Sequence, residues 1–234
     1  THHASSAASD VYKRQMHKIV QNLIDIENRL KSSLGDVDQG SLPKIIAVSK
    51  TFKMDKISPL VEHGHLDFGE NKVQEAIDKW TEIKVSKPNI QLHMIGKLQT
   101  NKVKFAVKLF DYIHSVDSEK LAKKIAGELL KVKRKIKIFI QVNIGDETQK
   151  SGINIDETNN LVVFCKKLNL NVVGFMCIPP SDIDPSIYFE EMDKINKINN
   201  FKELSMGMSS DYIKAAQHNS TYLRIGSNIF GQRY

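Results

Sequence analysis

Eight short apolar segments alternate with helical segments along this chain, and this alternation limits the possible folds more than any other feature of the sequence. The strand-like segments are residues 44–50, 66–70, 91–96, 112–116, 137–143, 172–178, 203–208 and 221–227. Helical spacing of apolar residues fills the intervals, near 55–63, 71–84, 99–108, 118–131, 156–168, 184–200 and 209–217. Strands this continuously apolar are typical of a parallel sheet buried on both faces. The pattern predicts a single (β/α)8 barrel of the TIM-barrel class.

The alternative architecture for this pattern is an open, doubly wound sheet. No GxGxxG or Walker motif supports it, and no Pro-, Gly- or Ser-rich linker divides the chain. After strand eight only NIFGQRY remains, which is too short for a full eighth helix. Helical spacing over residues 11–34, with Gly35 as the stop, predicts an extra N-terminal helix. This helix can cover the gap because strand eight lies beside strand one in a closed barrel.

Residues 1–15, THHASSAASDVYKRQ, differ from the rest because they have no apolar core. They are therefore not a secretory signal, and we interpret them as a tag or leader before a domain spanning residues 16–234. Met16 is then the natural start, and a processed organellar form is the alternative. The chain has two cysteines, Cys165 and Cys177, and no apolar run near the roughly 20 residues of a membrane span. We expect a reducing, cytoplasmic location and no membrane contact.

The chain is basic, with a formal net charge of +7. The leader contributes +1 (Lys13 and Arg14 against Asp10), which leaves +6 on the domain. The densest charge run, KVKRKIK at 131–137, precedes strand five and so falls opposite the C-terminal ends of the strands. No aromatic residue interleaves it, so we predict a solvated loop and no nucleic-acid partner. The positive domain instead favours capture of an anionic ligand.

The loops after strands seven and eight carry glycine and serine, and in barrels of this class these loops commonly hold phosphate. Strand seven runs into MGMSSD, with Gly207 and Ser209, and strand eight runs into RIGSN, with Gly226 and Ser227. Each loop alone is typical of a turn glycine and a helix cap. Because the two loops are neighbours in the barrel, together they predict a phosphate site.

Lys50 ends strand one, the other neighbour of strand eight, so its amine lies at the same face of the barrel. Burial would lower the pKa of this amine and favour attack on a carbonyl, although a lysine whose stem packs on the rim is the alternative. Arg224 lies two residues before Gly226 and points to the same side of strand eight. Arginine only donates hydrogen bonds, so Arg224 either faces an acceptor in a ligand or pairs with a carboxylate such as Glu203.

The histidines give no metal site. His63 and His65 bracket a glycine, but no cysteine or carboxylate cluster completes a set of ligands. His93 and His114 fall inside predicted strands, where buried core histidines are commoner than catalytic bases. We expect no metal ion in this protein.

Seven stretches carry a resemblance to a known family: AVSKT, FGENKVQEA, HMIGKLQTNK, VNIGDETQKSG, GFMCIPP, LSMGMSSD and STYLRIGSNIFGQR. In this order, over about residues 44–233, they resemble the pyridoxal-phosphate homeostasis proteins, single-domain relatives of the N-terminal barrel of alanine racemase. The resemblance implies a fold-type III pyridoxal-phosphate (PLP) barrel. The sequence departs from the family at Asn219, where glycine is usual, and this departure puts the turn into strand eight in question.

The resemblance also implies roles for individual residues. Lys50 corresponds to the lysine that forms a Schiff base with PLP, and Arg224 to the residue that faces the pyridine nitrogen. The implied cofactor-binding residues are Lys50, Asn71, Met206, Ser209, Arg224, Gly226 and Ser227. Of these, Ser209, Gly226 and Ser227 would hold the phosphate, Asn71 would lie beside the cofactor and Met206 would line the pocket.

The resemblance implies a carrier or reservoir in PLP homeostasis, without evident turnover, that can serve PLP-dependent apo-enzymes. Alanine racemases carry a second domain that closes the site, whereas this chain stops at Tyr234, directly after strand eight, so we expect an open pocket and a monomer. The first alternative is a racemase-like PLP enzyme, whose second acid/base would come from a partner or from His93. A Schiff-base aldolase that acts on phosphorylated sugars is the second alternative.

Overall fold

Eight parallel strands close into a barrel in which each strand pairs with the next in sequence order and β8 pairs with β1. The computed structural model describes residues 17–35, 42–147 and 149–232. The strands are β1 (Lys44–Val48), β2 (Asp67–Glu70), β3 (Gln91–Met94), β4 (Tyr112–Val116), β5 (Lys137–Val142), β6 (Asn171–Cys177), β7 (Glu203–Ser205) and β8 (Tyr222–Ile225). The pairing of Ile45 with Leu223 closes the ring. The (β/α)8 prediction is confirmed, and the open sheet is excluded.

Helices follow the strands on the outside of the barrel. They are α1 (Lys18–Leu34), α2 (Met54–His63), α3 (Val73–Ser86), α4 (Val103–Leu109), α5 (Glu119–Val132), α6 (Thr158–Lys167), α7 (Ser186–Ile198), α8 (Tyr212–Gln217) and α9 (Ser227–Phe230). Short 3-10 turns, Thr100–Lys102 and Ile155–Glu157, precede α4 and α6. The Ser118 hydroxyl accepts the backbone N–H of Leu121 and caps α5, as the sequence predicts. No helix among the described residues is long and apolar enough to span a membrane.

The N-terminal helix α1 fills the gap in the outer layer of helices that the short eighth helix leaves. It packs against α2, α8 and the single turn of α9. Its apolar face, which includes Val20, Leu23 and Leu30, is buried in the core, and the Asn22 side chain donates to the backbone oxygen of Ile229 at 2.8 Å. The predicted role of this helix is confirmed. Positions 11–16 of the predicted range lie outside the described residues.

Six of the eight strands end one to three residues earlier than the sequence predicts, and at β1, β7 and β8 the difference places residues at the site. Strand β1 ends at Val48, β7 at Ser205 and β8 at Ile225. Gly207 has a φ of +89°, which an extended strand does not allow, and a Cβ there would lie 2.5 Å from the Cβ of Ala215. The residues that follow these strand ends therefore turn out of the sheet, at the C-terminal face of the barrel.

The turn into strand β8 has a positive φ at Asn219, a conformation that glycine adopts readily. Asn219 has a φ of +65°, in the left-handed region where asparagine is tolerated better than most side chains. Its amide group also donates to the carboxylate of Asp193 at 3.0 Å. Asn219 therefore adopts a backbone conformation that glycine also allows, and its side chain has a partner.

The interior of the barrel is aromatic and contains polar groups. Tyr112, Phe139 and Tyr222 belong to a cluster of buried side chains inside the ring. The ring of His93 stacks on Tyr112 with 4.2 Å between centroids, and the ring of His114 stacks on Phe139 at 4.3 Å. Both histidines are fully buried, as predicted.

Candidate functional site

A cleft of about 510 Å³ opens at the C-terminal ends of the strands. Six of the seven predicted cofactor-binding residues line it: Lys50, Asn71, Ser209, Arg224, Gly226 and Ser227. Val48, Ile95, Ile178 and Met208 supply apolar wall. The structure therefore brings residues from the ends of β1, β2, β7 and β8 into one cavity, as a barrel with its functional loops on this face requires.

Met206 is not among the described residues that line the cleft. Its side chain is fully buried in the main core, and its backbone N–H pairs with the carbonyl of Tyr222 at 3.2 Å. The backbone turns out of the extended conformation at Gly207, which has a positive φ, and Met208 lines the cleft in place of Met206. The predicted pocket role of Met206 has no support in this geometry.

The loops after β7 and β8 are tied together at Ser209. Its hydroxyl oxygen accepts the backbone N–H groups of Gly226 at 3.3 Å and Asn228 at 3.4 Å. The side chain of Asn228 in turn donates to the backbone oxygen of Ser209 at 2.8 Å. Two backbone donors thus converge beside a serine hydroxyl at the edge of the cleft, and this donor set suits the oxygens of a phosphate.

The turn that carries Lys50 is held from both sides. The preceding residue, Ser49, is fully buried and donates its hydroxyl hydrogen to Glu70 at 2.7 Å. The following residue, Thr51, has a φ of +69°, and its backbone N–H donates to the carboxylate of Glu75. Lys50 itself is half-buried. Its side chain therefore leaves a rigid backbone at the rim of the cleft.

Lys79 of helix α3 holds this turn and was not predicted from the sequence. Its ammonium group donates to the backbone oxygens of Ser49 at 2.9 Å and Phe52 at 3.3 Å. It also pairs with Glu70 at 2.6 Å and Glu75 at 2.9 Å. Burial raises the pKa of Glu70, although Lys79 acts in the opposite direction. The family-like stretch FGENKVQEA contains both glutamates, which is the signal that could have drawn attention to this cluster.

Asn71 directly follows β2, and it lies against the backbone that follows β3. Gly96 lets the backbone after β3 approach closely, because a Cβ at Gly96 would lie 2.5 Å from the backbone oxygen of Asn71. The cleft wall on this side is therefore formed by two backbones in contact, with the Asn71 side chain as its polar group.

Arg224 is a buried cation at the base of the cleft. One N–H group donates to the hydroxyl of Ser205 at 2.7 Å, and another donates to the backbone oxygen of Cys177 at 2.8 Å. Burial lowers the pKa of Arg224, yet a guanidinium keeps its proton in proteins. Among the described residues no carboxylate forms an ion pair with it, so the predicted alternative of a pair with Glu203 is wrong. Its charge is available to an acceptor in the cleft.

A row of hydrogen bonds continues from Arg224 through the barrel. We call it the polar row, and its members are Asp67, His93, His114, Ser205 and Arg224. The Ser205 hydroxyl lies 2.9 Å from Nδ1 of His114, and Nε2 of His114 lies 2.9 Å from Nδ1 of His93. Nε2 of His93 lies 2.9 Å from the carboxylate of Asp67 at the opposite end of the barrel. The sequence predicted neither Asp67 nor Ser205 as a member of the site.

Comparison with known proteins agrees with this geometry. The family model for the N-terminal domain of alanine racemase matches residues 21–234. A structure of alanine racemase from Clostridium difficile 630 matches with a TM-score of 0.70 and 14% identity, and the match covers 92% of this chain and 57% of that one. At this identity the match shows a shared fold alone. The fold and the cleft thus define a barrel of the alanine racemase N-terminal class.

More similar proteins narrow the class. A pyridoxal phosphate homeostasis protein of Pasteurella multocida (strain Pm70) is 33% identical over 227 residues, which cover 92% of this chain and 97% of that protein. Its counterpart in Escherichia coli (strain K12) is 31% identical over 233 residues, 93% of this chain and 98% of that protein. The structure of PipY of Synechococcus elongatus PCC7942 with PLP bound has TM-score 0.80 and 30% identity, and covers 91% of this chain and 100% of that one. This chain belongs to the pyridoxal phosphate homeostasis protein family.

Proposed function

We propose that this protein binds PLP in the cleft, with Lys50 as the covalent attachment point, and serves as a carrier or reservoir of the cofactor. The observation that carries the proposal is the convergence of Lys50, the Ser209 loop and Arg224 on one cavity. PLP supplies an aldehyde to which a lysine amine can attach, a phosphate, and a ring nitrogen. The cleft offers a group suited to each of these three parts.

Each part of the cleft has its own task in this proposal. The convergent N–H groups of Gly226 and Asn228 and the hydroxyl of Ser209 bind the phosphate oxygens, with Ser227 beside them. The rigid turn around Lys50 presents its amine to the aldehyde. Asn71 and the apolar wall position the ring between these two ends.

Arg224 has a particular effect on the cofactor. Because a guanidinium can only donate hydrogen bonds, a ring nitrogen that faces it must be an unprotonated acceptor. An unprotonated ring is a weaker electron sink, which disfavours carbanion chemistry at the bound cofactor. This property supports a carrier rather than a turnover enzyme.

The racemase-like alternative needs a second acid/base group. Among the described residues that line the cleft, Lys50 and Arg224 are the only ones with titratable side chains. His93, the residue considered for this task, is bonded to His114 and Asp67 inside the barrel and does not line the cleft. A racemase would therefore need its second group from a partner. Exchange of the α-hydrogen of amino acids with solvent deuterium, at turnover rates, would support that alternative.

The proposal includes the location, oligomeric state and partners of the protein. We infer a cytoplasmic monomer that gives PLP to PLP-dependent apo-enzymes and has neither nucleic acid nor membrane as a partner. The basic run at 131–137 supports the absence of a nucleic-acid partner, since Arg134 pairs with Asp111 and Lys137 donates to the hydroxyl of Tyr112 at the end of the barrel opposite the cleft. Light scattering of the purified protein tests the monomer.

Borohydride trapping followed by peptide mass spectrometry tests the proposed function. Purified protein that has taken up PLP should absorb in the visible range, and the reduced adduct should lie on Lys50 with the mass of PLP. Lys50→Ala should abolish both signals, whereas Lys104→Ala, at an exposed position on α4, should change neither. A sugar-derived mass on Lys50 would favour the aldolase alternative. A protein that takes up no PLP would refute the proposal.

A further inference from the structure

The direction of each hydrogen bond in the polar row follows from elementary chemistry. The carboxylate of Asp67 can only accept, so the proton of His93 lies on Nε2. Although burial acts against it, the hydrogen bond from His93 holds the pKa of Asp67 below its ordinary value. Asp67 is therefore an anion at neutral pH, and the tautomer of His93 is determined.

The same reasoning determines the tautomer of His114. With its proton on Nε2, a neutral His93 presents Nδ1 as an acceptor, so His114 must donate from its own Nε2. Nδ1 of His114 is then an acceptor, and the hydroxyl of Ser205 donates to it. Burial lowers the pKa of His93 and lowers that of His114 well below its ordinary value, which agrees with two neutral rings.

The row ends at Arg224 with its direction preserved. Because Ser205 uses its hydrogen towards His114, its oxygen turns a lone pair to the guanidinium and accepts the N–H of Arg224 at 2.7 Å. Every donor in the row therefore points from Arg224 towards Asp67. A cation at one end of the barrel and an anion at the other are joined through four aligned hydrogen bonds.

The rings have little freedom to rearrange. His93 stacks on Tyr112 with an interplanar angle of 16°, and His114 stacks on Phe139 at 25°. Both histidines and Ser205 have no exposed surface, so water cannot replace a lost partner. If Asp67 lost its acceptor oxygens, His93 could carry its proton on Nδ1 and reverse the row. The Ser205 oxygen would then accept from both His114 and Arg224, and the hydroxyl hydrogen would be buried without an acceptor among its described partners. The cost of that orphaned hydrogen would weaken the bond that holds Arg224.

We propose that Asp67, His93 and His114 are positioning residues that act on the bound cofactor through Arg224. They set the lone pair of Ser205 towards the guanidinium and so hold Arg224 in one orientation, with its remaining N–H groups directed to the ring nitrogen of PLP. This inference rests on the proposed function. It adds that affinity for the ring is set partly by a carboxylate at the far end of the barrel.

The first test needs no cofactor. Ring-nitrogen NMR of protein labelled in its histidines should show His93 and His114 as neutral rings with the proton on Nε2, exchanging slowly with water. A proton on Nδ1 in either ring, or a charged imidazolium at neutral pH, would overturn the inference. This result stands even if the protein fails to bind PLP, so the failure of the inference and that of the proposed function can be told apart.

The second test compares two ligands. Asp67→Ala should weaken PLP about tenfold, the cost of one weakened hydrogen bond to a charged group, and shift the absorbance maximum of the bound cofactor. The analogue with CH in place of the ring nitrogen should bind the variant and the wild type alike. Glu203→Gln removes a carboxylate at the same end of the barrel, outside the polar row, and should leave both affinities unchanged.

The outcomes of this comparison are decisive. Equal weakening of both ligands by Asp67→Ala would mean a general structural role and would overturn the inference, as would unchanged affinity for PLP. If Asp67→Ala does not fold, Asp67→Asn keeps an acceptor for His93 and removes only the charge. That variant should retain the wild-type tautomers and weaken PLP by less than about tenfold, with the analogue unaffected. A changed tautomer in either ring, or equal weakening of both ligands, would overturn the inference.

Discussion

The ammonium group of Lys79 lies 2.9 Å from the backbone oxygen of Ser49, the residue directly before Lys50. The same group pairs with the fully buried carboxylate of Glu70 at 2.6 Å. One side chain on helix α3 thus neutralises a buried charge and fixes the turn from which Lys50 reaches the cleft. The stability of the barrel and the geometry of the site are coupled at this point.

We predict that Lys79→Met lowers the free energy of unfolding by about 3 kcal/mol, because it leaves the Glu70 carboxylate buried without its partner. Urea denaturation measures the change. Lys197→Met on α7 is the matched control, since its pair with Asp193 lies at the surface and is worth at most about 0.5 kcal/mol. Equal losses for the two variants would contradict the assigned role of Lys79.

Gly207 should not tolerate alanine. The variant Gly207→Ala combines a positive φ with a Cβ placed 2.5 Å from that of Ala215, so we expect a loss of roughly 2–4 kcal/mol. Gly64→Ala separates the two causes, because Gly64 has a φ of +93° but open space around its Cβ. It should cost only about 1 kcal/mol in the same denaturation experiment. A Gly207→Ala loss no larger than this control would show that the close approach to Ala215 is unimportant.

The hydroxyl of Ser209 should matter only for ligands that carry a phosphate. Ser209→Ala removes a donor to the phosphate and the acceptor that joins Gly226 and Asn228, so we expect PLP to bind about tenfold more weakly. Pyridoxal without phosphate should bind the variant and the wild type equally. Ser181→Ala, in an exposed loop, serves as the control. Weaker binding of pyridoxal as well would place the effect of Ser209 outside the phosphate site.

Acid should destabilise the protein through His93 and His114. Burial lowers the pKa of both rings in the folded state, so below the unfolded value of 6.5 the unfolded chain binds protons that the folded protein refuses. Stability is then fully present above that value and is lost as the pH falls towards the lowered folded values. Each ring adds a slope of up to about 1.4 kcal/mol per pH unit.

The variant His114→Gln tests this assignment, because it removes one of the two buried rings. The slope of unfolding free energy against pH is measured by urea denaturation between about pH 6 and pH 5. It should fall by about 1.4 kcal/mol per pH unit, the contribution of one proton. His63→Gln, at an exposed position on α2, is the control. An unchanged slope in His114→Gln would mean that His114 already carries a proton in the folded protein.

Much of the site could be predicted because it depends on the order of elements along the chain. Parallel strands bring their C-terminal ends to one face, so Lys50, Ser209 and Gly226 had to meet once the barrel was recognised. The exact strand ends could not be predicted in the same way. Apolar residues continue past Ser205 to Met206 and Met208, and only the positive φ of Gly207 decides which methionine reaches the cleft.

The sequence by itself determined the barrel, the face that bears the site and most residues of the cleft. These features depend on residues close together in the chain: the alternating apolar runs, the glycine-serine loops and the lysine after strand one. The polar row and the contacts of Lys79 join residues far apart in the chain through side chains inside the fold. Which buried donor meets which buried acceptor depends on packing in three dimensions, since any partner that satisfies a buried polar group is chemically acceptable. Only the tertiary structure decided that Arg224 is connected to Asp67 through a row of hydrogen bonds and that it forms no ion pair with Glu203.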